Sequence, residues 1–287
     1  MIVPPRLLTN CQKTAERRAW LEKLPALLTD LSERWSLRVG DPFQDATAAL
    51  VAPIVRAHGG AAVLKLSMPH MEAAQEIDGL RFWNGDPTVR LLEADDALGA
   101  MLLERCEPGT TFRCEPEAEQ DAVVADLARR LRQASNSAEG LRPFRHLSEM
   151  MALWCEETLA QEEFWPDAAL VHAGLDVMQE LAAPAASDVV LATDLHGGNV
   201  LRAQRETWLV IDPKPFIGDP AYELAQHLQV CEARLHADPF GLILRVANLA
   251  EVDAKPLRLW TFARAAADPR DDWKNSVWID IARALAP

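Results

Sequence analysis

Three oxygen-bearing side chains recur at fixed spacing in the segment from Val189 to Pro220: Asp194, Asn199 five residues on, and Asp212 thirteen residues after that. Each stands at the end of a short apolar, strand-like run. Phosphoryl transfer needs such a set, with one carboxylate facing the acceptor hydroxyl and an amide and a second carboxylate holding Mg²⁺. The spacing has a mechanical reason. A short loop after Ala192 leads into Asn199-Val200-Leu201, and Gln204 to Thr207 reads as a turn. Trp208-Leu209-Val210-Ile211 then returns as a hairpin partner and brings Asp212 alongside Asn199. Gly197 and Gly198 are expected to allow the loop a tight backbone. Asp and Asn alone at this spacing would carry little, since both are common in turns. His196, the glycine pair and the apolar flanks give the segment its weight.

The elements that must position this hairpin divide near Cys106–Thr111. Before it, residues 16–35 carry Leu21, Leu24, Leu27, Leu28, Leu31 and Trp35 at helical spacing. Strand-like runs follow at Ala48–Val55, Ala61–Leu66, Val89–Leu92 and Gly99–Glu104, with a helix from about Met71 to Trp83 between the second and third. After Thr111 helical stripes dominate. The first runs through Val123, Val124, Leu127 and Leu131, the second through Leu147, Met150, Met151 and Trp154, and the third through Leu170, Leu175, Met178 and Leu181. Helices resume from Pro220 to Leu235, then around 240–250, 256–266 and 277–285. The expected organisation is an α+β small domain over residues 1–106 and a mainly helical one over residues 107–287.

In the small domain, Lys65 stands in the middle of the apolar run Ala61-Ala62-Val63-Leu64-Lys65-Leu66. Burying an isolated ammonium is very costly, so it must reach solvent along its stem or find phosphate and a carboxylate. The following helix offers Glu72 and Glu76. Elsewhere the titratable residues say less. The other histidines show no metal-ligand spacing among themselves. Asp219 before Pro220 reads first as a helix N-cap with proline at N1. Lys214 either screens phosphate charge or sits in solvent.

Composition bounds the class. The 287 residues, nearly half hydrophobic, suit one or two domains with a sizeable core. No apolar run reaches the roughly 18 residues a membrane span needs, and MIVPPRLLTN lacks a signal-peptide layout. Five scattered cysteines outside any C-x-x-C pattern favour reduced thiols and a cytoplasmic protein. Residues 1–106 carry 12 Lys/Arg against 14 Asp/Glu, a net −2; residues 107–287 carry 17 against 29, a net −12. That balance repels nucleic acid and favours cationic ligands. Acidity for solubility alone is the competing account.

The strings ATDLHGGNVLRA and WLVIDPKPFIGDPAYE resemble the aminoglycoside phosphotransferases, in the branch of streptomycin and hydroxyurea-resistance kinases. The resemblance implies a two-lobed protein-kinase-like fold and an ATP- and Mg²⁺-dependent small-molecule O-phosphotransferase, acting as a monomer or weak homodimer without nucleic acid or membrane partners. It implies Asp194 as the catalytic acid/base, Asn199 and Asp212 as metal ligands, and Lys65 on the α/β-phosphates with Glu76 as its partner. Met101 to Gly109 resembles the inter-lobe hinge, where the Glu104 carbonyl and Cys106 amide would meet adenine. Thr47 would lie in the phosphate-covering loop. That loop departs from the family pattern, since Gly40 is the only glycine between residues 40 and 47 and Asp45 would repel phosphate. His196, Glu223, Trp260 and Arg264 are implied near the acceptor, with Glu223 alternatively bracing the catalytic loop. A streptomycin-type aminoglycoside is the expected acceptor. A kinase for hydroxyurea or another small hydroxylated metabolite, and a catalytically impaired nucleotide-binding relative, are the alternatives.

Overall fold

Pro4 and Pro5 open the first helix rather than breaking one, because a proline in the first turn gives up no hydrogen bond. The computed structural model describes residues 3–136, 144–270 and 272–287. Helix α1 (Pro5–Cys11) precedes α2 (Ala15–Arg34), whose N-terminus is capped by the Thr14 hydroxyl accepting from the Arg17 amide at 3.2 Å. Strands β1 (Leu37–Val39), β2 (Ala49–Arg56) and β3 (Ala61–Ser67) follow. The helix expected from Met71 divides into a 3₁₀ turn over Met71–Ala73 and α3 (Glu76–Trp83). Strands β4 (Leu91–Asp95) and β5 (Ala100–Glu104) complete an antiparallel sheet in the order β1-β2-β3-β5-β4. Leu24 and Leu31 of α2, Leu50 and Ile54 of β2, Leu64 and Leu66 of β3 and Leu102 of β5 pack as one core.

The chain forms two compact units, one of residues 1–110 with 202–209, the other of residues 111–201 with 210–287. The first unit therefore ends after Thr110 rather than after Cys106, and it includes a segment remote in sequence. Arg205 supplies the reason. Its guanidinium donates to Glu104 Oε2 at 3.0 Å and to the Thr88 carbonyl at 3.1 Å.

In the second unit the three apolar stripes become α4 (Glu117–Gln133), α5 (Leu147–Leu159) and α6 (Ala168–Leu181). Strand β6 (Val189–Leu191) leads to the hairpin of β7 (Val200–Arg202) and β8 (Trp208–Val210). An additional strand, β9 (Phe216–Gly218), pairs antiparallel with β6. The helix expected over Pro220–Leu235 is two, α7 (Pro220–Gln229) and α8 (Glu232–Ala237). Helices α9 (Pro239–Ala250), α10 (Ala254–Ala267) and α11 (Ser276–Leu285) follow. Among the described residues no helix is long and apolar enough to cross a membrane, and the five cysteines are free thiols.

One buried carboxylate ties α4, α7, α8 and α9 together. Asp121 Oδ1 accepts from His227 Nε2 at 3.0 Å and from Arg234 at 3.0 Å, and Oδ2 accepts from Arg234 at 2.6 Å and Arg245 at 3.0 Å. Cys231 joins Asp121 and His227 to put three metal-ligand types within 4.8 Å. Two guanidiniums already occupy Asp121 and would repel a cation, so the cluster is an ion-pair knot. Burial, moreover, pushes the Cys231 thiol up to about 12, away from the thiolate that binds metals.

Burial alone would raise the Asp121 pKa, but the bonds from His227, Arg234 and Arg245 hold it well below the usual carboxylate range. A depressed carboxyl contributes stability above its unfolded pKa of about 3.9, and that contribution is lost as pH falls toward its folded value. Asp121→Asn is expected to lose about 3–5 kcal/mol at neutral pH. Its urea midpoint should also fall less steeply than that of the unsubstituted protein as pH drops below about 4.

Candidate active site

The hairpin brings the backbone that carries Asp212 against that of Asn199. The Ile211 amide donates to the Asn199 carbonyl at 2.9 Å, so Asp212 follows directly on the residue bonded to Asn199. Asp212 then turns the chain with φ 54°, and Thr193 before Asp194 does the same with φ 53°. The glycine pair serves space rather than φ. A Cβ on Gly197 would lie 2.5 Å from Gln120 Oε1, and one on Gly198 would lie 2.6 Å from the His196 ring and 2.7 Å from the Arg113 guanidinium. The Gly197 carbonyl accepts from the Thr111 hydroxyl at 2.9 Å, which fixes the loop from below.

Asp194 is held on both oxygens. Oδ2 accepts from Lys214 Nζ at 2.7 Å, and Oδ1 accepts from Gln226 Nε2 at 2.8 Å. The side chain remains 18% exposed. His196 Nδ1 accepts from the Gly198 amide at 2.9 Å, and Nε2 lies 3.5 Å from Asp194 Oδ1. Burial pulls the His196 pKa down against the opposing pull of Asp194, and because Nδ1 accepts from the Gly198 amide the ring proton faces Asp194 on Nε2. That geometry orders the loop. Asn199 Nδ2 donates to the Asp194 carbonyl at 3.0 Å, which leaves Oδ1 as the atom the amide presents. An amide oxygen and a carboxylate are hard donors of the kind Mg²⁺ takes.

Helix α7 grips the loop that carries Asp194. Asp219 caps it, accepting from the Ala221 amide at 2.9 Å through Oδ1 and from Trp260 Nε1 at 3.0 Å through Oδ2. Glu223, fully enclosed, accepts from the amides of Ala192 at 2.6 Å and Thr193 at 3.3 Å. Gln226, one turn further on the same face, reaches Asp194. Glu223 thus braces the loop and is closed to an acceptor. Two expectations for the acceptor wall need correction. Trp260 is fully buried, edge-on to Tyr222 with ring centroids 4.9 Å apart, because its indole N–H must meet Asp219. Arg264 is also buried. It lies over the rings of Trp154 and Tyr222 and donates to Gln226 Oε1 at 2.6 Å and Asp268 at 2.9 Å.

In the first unit, Lys65 Nζ meets Glu76 Oε1 at 2.5 Å, with both side chains buried and Ser67 donating to Glu76 Oε2 at 3.3 Å. Of the two acids open to Lys65, Glu76 is therefore the partner. The segment carrying Thr47 is drawn onto its own sheet. The Gly40 and Phe43 amides donate to the Pro53 and Val51 carbonyls at 2.8 Å, and the Thr47 carbonyl accepts from Asn10. Thr47 and Asp45 are exposed. Glu104 ends β5. Burial raises its pKa, yet the bonds from Arg205 and the Arg90 amide bring it below the usual range. Cys106 is buried, its thiol pushed up to about 11.

Gln226 carries no signal of its own in the sequence. Only its place one turn after Glu223 marks it. Desolvation pushes the Glu223 pKa up to about 7 against the bonds from the Ala192 and Thr193 amides. The folded state therefore binds more protons than the unfolded one between about pH 4.3 and 7, and stability falls as pH rises through that window. Glu223→Gln keeps an acceptor oxygen without the titration. Its urea midpoint relative to the unsubstituted protein should improve steadily from pH 5 to pH 8.

A model of the family described as aminoglycoside/hydroxyurea antibiotic resistance kinase matches residues 34–271. The chain is 36% identical to the streptomycin 6-kinase of Streptomyces griseus, covering 95% of this chain and 89% of that protein. It is 37% identical to the hydroxyurea phosphotransferase of Kitasatospora aureofaciens, covering 92% of this chain and 75% of that protein. Among solved structures, the choline kinase LicA in complex with AMP superposes with a TM-score of 0.62 at 14% identity, covering 91% and 97% of the two chains. The aminoglycoside phosphotransferase APH(3'')-Id from Streptomyces rimosus gives 0.54 at 18% identity, covering 90% and 98%. These structural likenesses show a kinase-like α+β fold.

Proposed function

This chain belongs to the aminoglycoside/hydroxyurea antibiotic resistance kinase family, and from that premise we propose that it transfers the γ-phosphoryl group of ATP to a hydroxyl of a streptomycin-type aminoglycoside. The observation that carries the reading is the hairpin that bonds Asn199 to Ile211, next to Asp212, five residues from an Asp194 held on both oxygens. Asp194 accepts a hydrogen bond from the acceptor hydroxyl and aims its oxygen in line with the phosphorus. Because the transition state is loose, Asp194 contributes positioning and takes the proton late. Asn199 Oδ1 and the Asp212 carboxylate would hold Mg²⁺, which neutralises phosphate charge when bound. Lys65, kept extended by Glu76, takes the α/β-phosphates, while the Glu104 carbonyl and Cys106 amide take the adenine edge. The loop around Thr47 adds little to phosphate binding in this reading, since its Gly40 and Phe43 amides are already spent on β2.

Streptomycin is favoured over hydroxyurea by charge. Residues 107–287 carry a net −12, and streptomycin presents guanidinium groups that carboxylates pair with well. Purified protein with ATP and Mg²⁺ should release ADP with streptomycin, and the kcat/KM should fall as salt rises, because exposed charges are screened within about 8 Å at physiological ionic strength. Asp194→Ala should lower turnover by roughly 10²–10⁴ while ATP binding persists. Turnover of hydroxyurea alone, without salt dependence, would move the acceptor to that compound, and full turnover by Asp194→Ala would sink the mechanism.

A further inference from the structure

The proposed phosphotransfer needs Asp194 to present one oxygen in a fixed direction, and a chain of side-chain bonds reaches it from the core. Arg264, lying over Trp154 at 5.5 Å and Tyr222 at 5.3 Å, is anchored by Asp268 and donates to Gln226 Oε1. A guanidinium is a donor only, so the end of the Gln226 amide facing Arg264 must be its oxygen. The other end then presents Nε2 to Asp194, and an ionised carboxylate is an acceptor only. Neither neighbour accepts the amide reversed. We propose that Gln226, its amide oriented by Arg264, is a positioning residue for phosphotransfer, fixing the rotation of the Asp194 carboxylate so that a lone pair not engaged by Lys214 or Gln226 meets the acceptor hydroxyl.

This assignment rests on the proposed function in that Asp194 faces the acceptor. It differs from a packing role in a way that can be measured. The charged and titratable groups around position 226 are Asp194, Arg264, Lys214 and His196, with Asp268 behind Arg264. Gln226→Leu fills the space without a donor. Gln226→Glu keeps the shape and the Arg264 bond, but sets a second carboxylate against Asp194. On protonation the new carboxyl regains a donor, so its activity should recover as pH falls.

The experiment compares kcat for ADP release with streptomycin, and with hydroxyurea, across pH 6–8.5. Gln226→Leu should lose about 10- to 100-fold in kcat, the scale of a misoriented reacting group, with the KM for ATP within about twofold of the unsubstituted enzyme. The ratio of Gln226→Glu to unsubstituted activity should rise as pH falls, while the Gln226→Leu ratio stays flat. Gln226→Leu within twofold of full kcat, or a pH-independent Gln226→Glu ratio, overturns the proposal. If Asp194→Ala is inactive in the same assay, the phosphotransfer reading survives that failure; if Asp194→Ala is fully active, that reading falls instead. A readout without acceptor uses the Gln226 side-chain amide resonances of the intact protein. They should lie apart from those of exposed amides and move toward them in Asp194→Ala. Resonances at exposed positions that do not move would overturn the assignment even if neither compound is phosphorylated.

Discussion

The ion-pair knot on Asp121 fixes the helix that braces the loop carrying Asp194. His227 reaches Asp121 from α7, while its neighbour Gln226 reaches Asp194 and Glu223 receives the Ala192 and Thr193 amides. Successive residues on a helix point about 100° apart, so one face of α7 can be anchored in the core as another holds the loop. A rotation of α7 loose enough to slacken the knot would also withdraw both supports from Asp194. Arg234 and Arg245 hold the same carboxylate from α8 and α9, so these helices are set relative to α7 by charge as well as by apolar packing.

Buried ions recur in both units, each with a different compensation. Lys65 is answered by Glu76, one charge against one. Glu223 is answered by backbone N–H groups, which leaves desolvation dominant and pushes its carboxyl up to about 7. Arg264 is answered by Asp268 and by two aromatic faces. Buried ion pairs are often replaceable by apolar residues without loss of stability, so stability alone explains them poorly. Their common property is direction: each ends in a polar atom aimed at a loop, a strand or a side chain that has to stay in one orientation.

What could be seen in the sequence was mostly local. The hairpin from Asn199 to Asp212 and the helical stripes after Thr111 depend on neighbours within about a dozen residues, where periodicity and turn chemistry operate, whereas the choice of Glu76 over Glu72 for Lys65 rests on the family resemblance. Strand β9 was hidden because Phe216-Ile217-Gly218 is too short to show alternation. The break between α7 and α8 at Val230 and Cys231 has neither glycine nor proline to mark it. The Asp121 knot was illegible for a different reason. Its partners lie 106 to 124 positions away, and nothing in a single chain distinguishes such an arginine from a solvent-facing one. Trp260 misled because a large aromatic on a helix near the end of the chain reads equally well as a pocket wall or as core, and only the carboxylate of Asp219, 41 positions earlier, decides between them.

The first unit is discontinuous in sequence, and this limits how the chain can be recombined. Residues 202–209 belong with residues 1–110, and Arg205 is the sole source of the guanidinium that Glu104 and Thr88 share in that segment. A chimera made with one crossover near Thr110 would inherit the sheet from one parent and the arginine from another. Exchange of this unit between relatives as a working module would need three joints, at 110, 202 and 209. A single crossover anywhere along the chain would therefore divide at least one of the two units between parents.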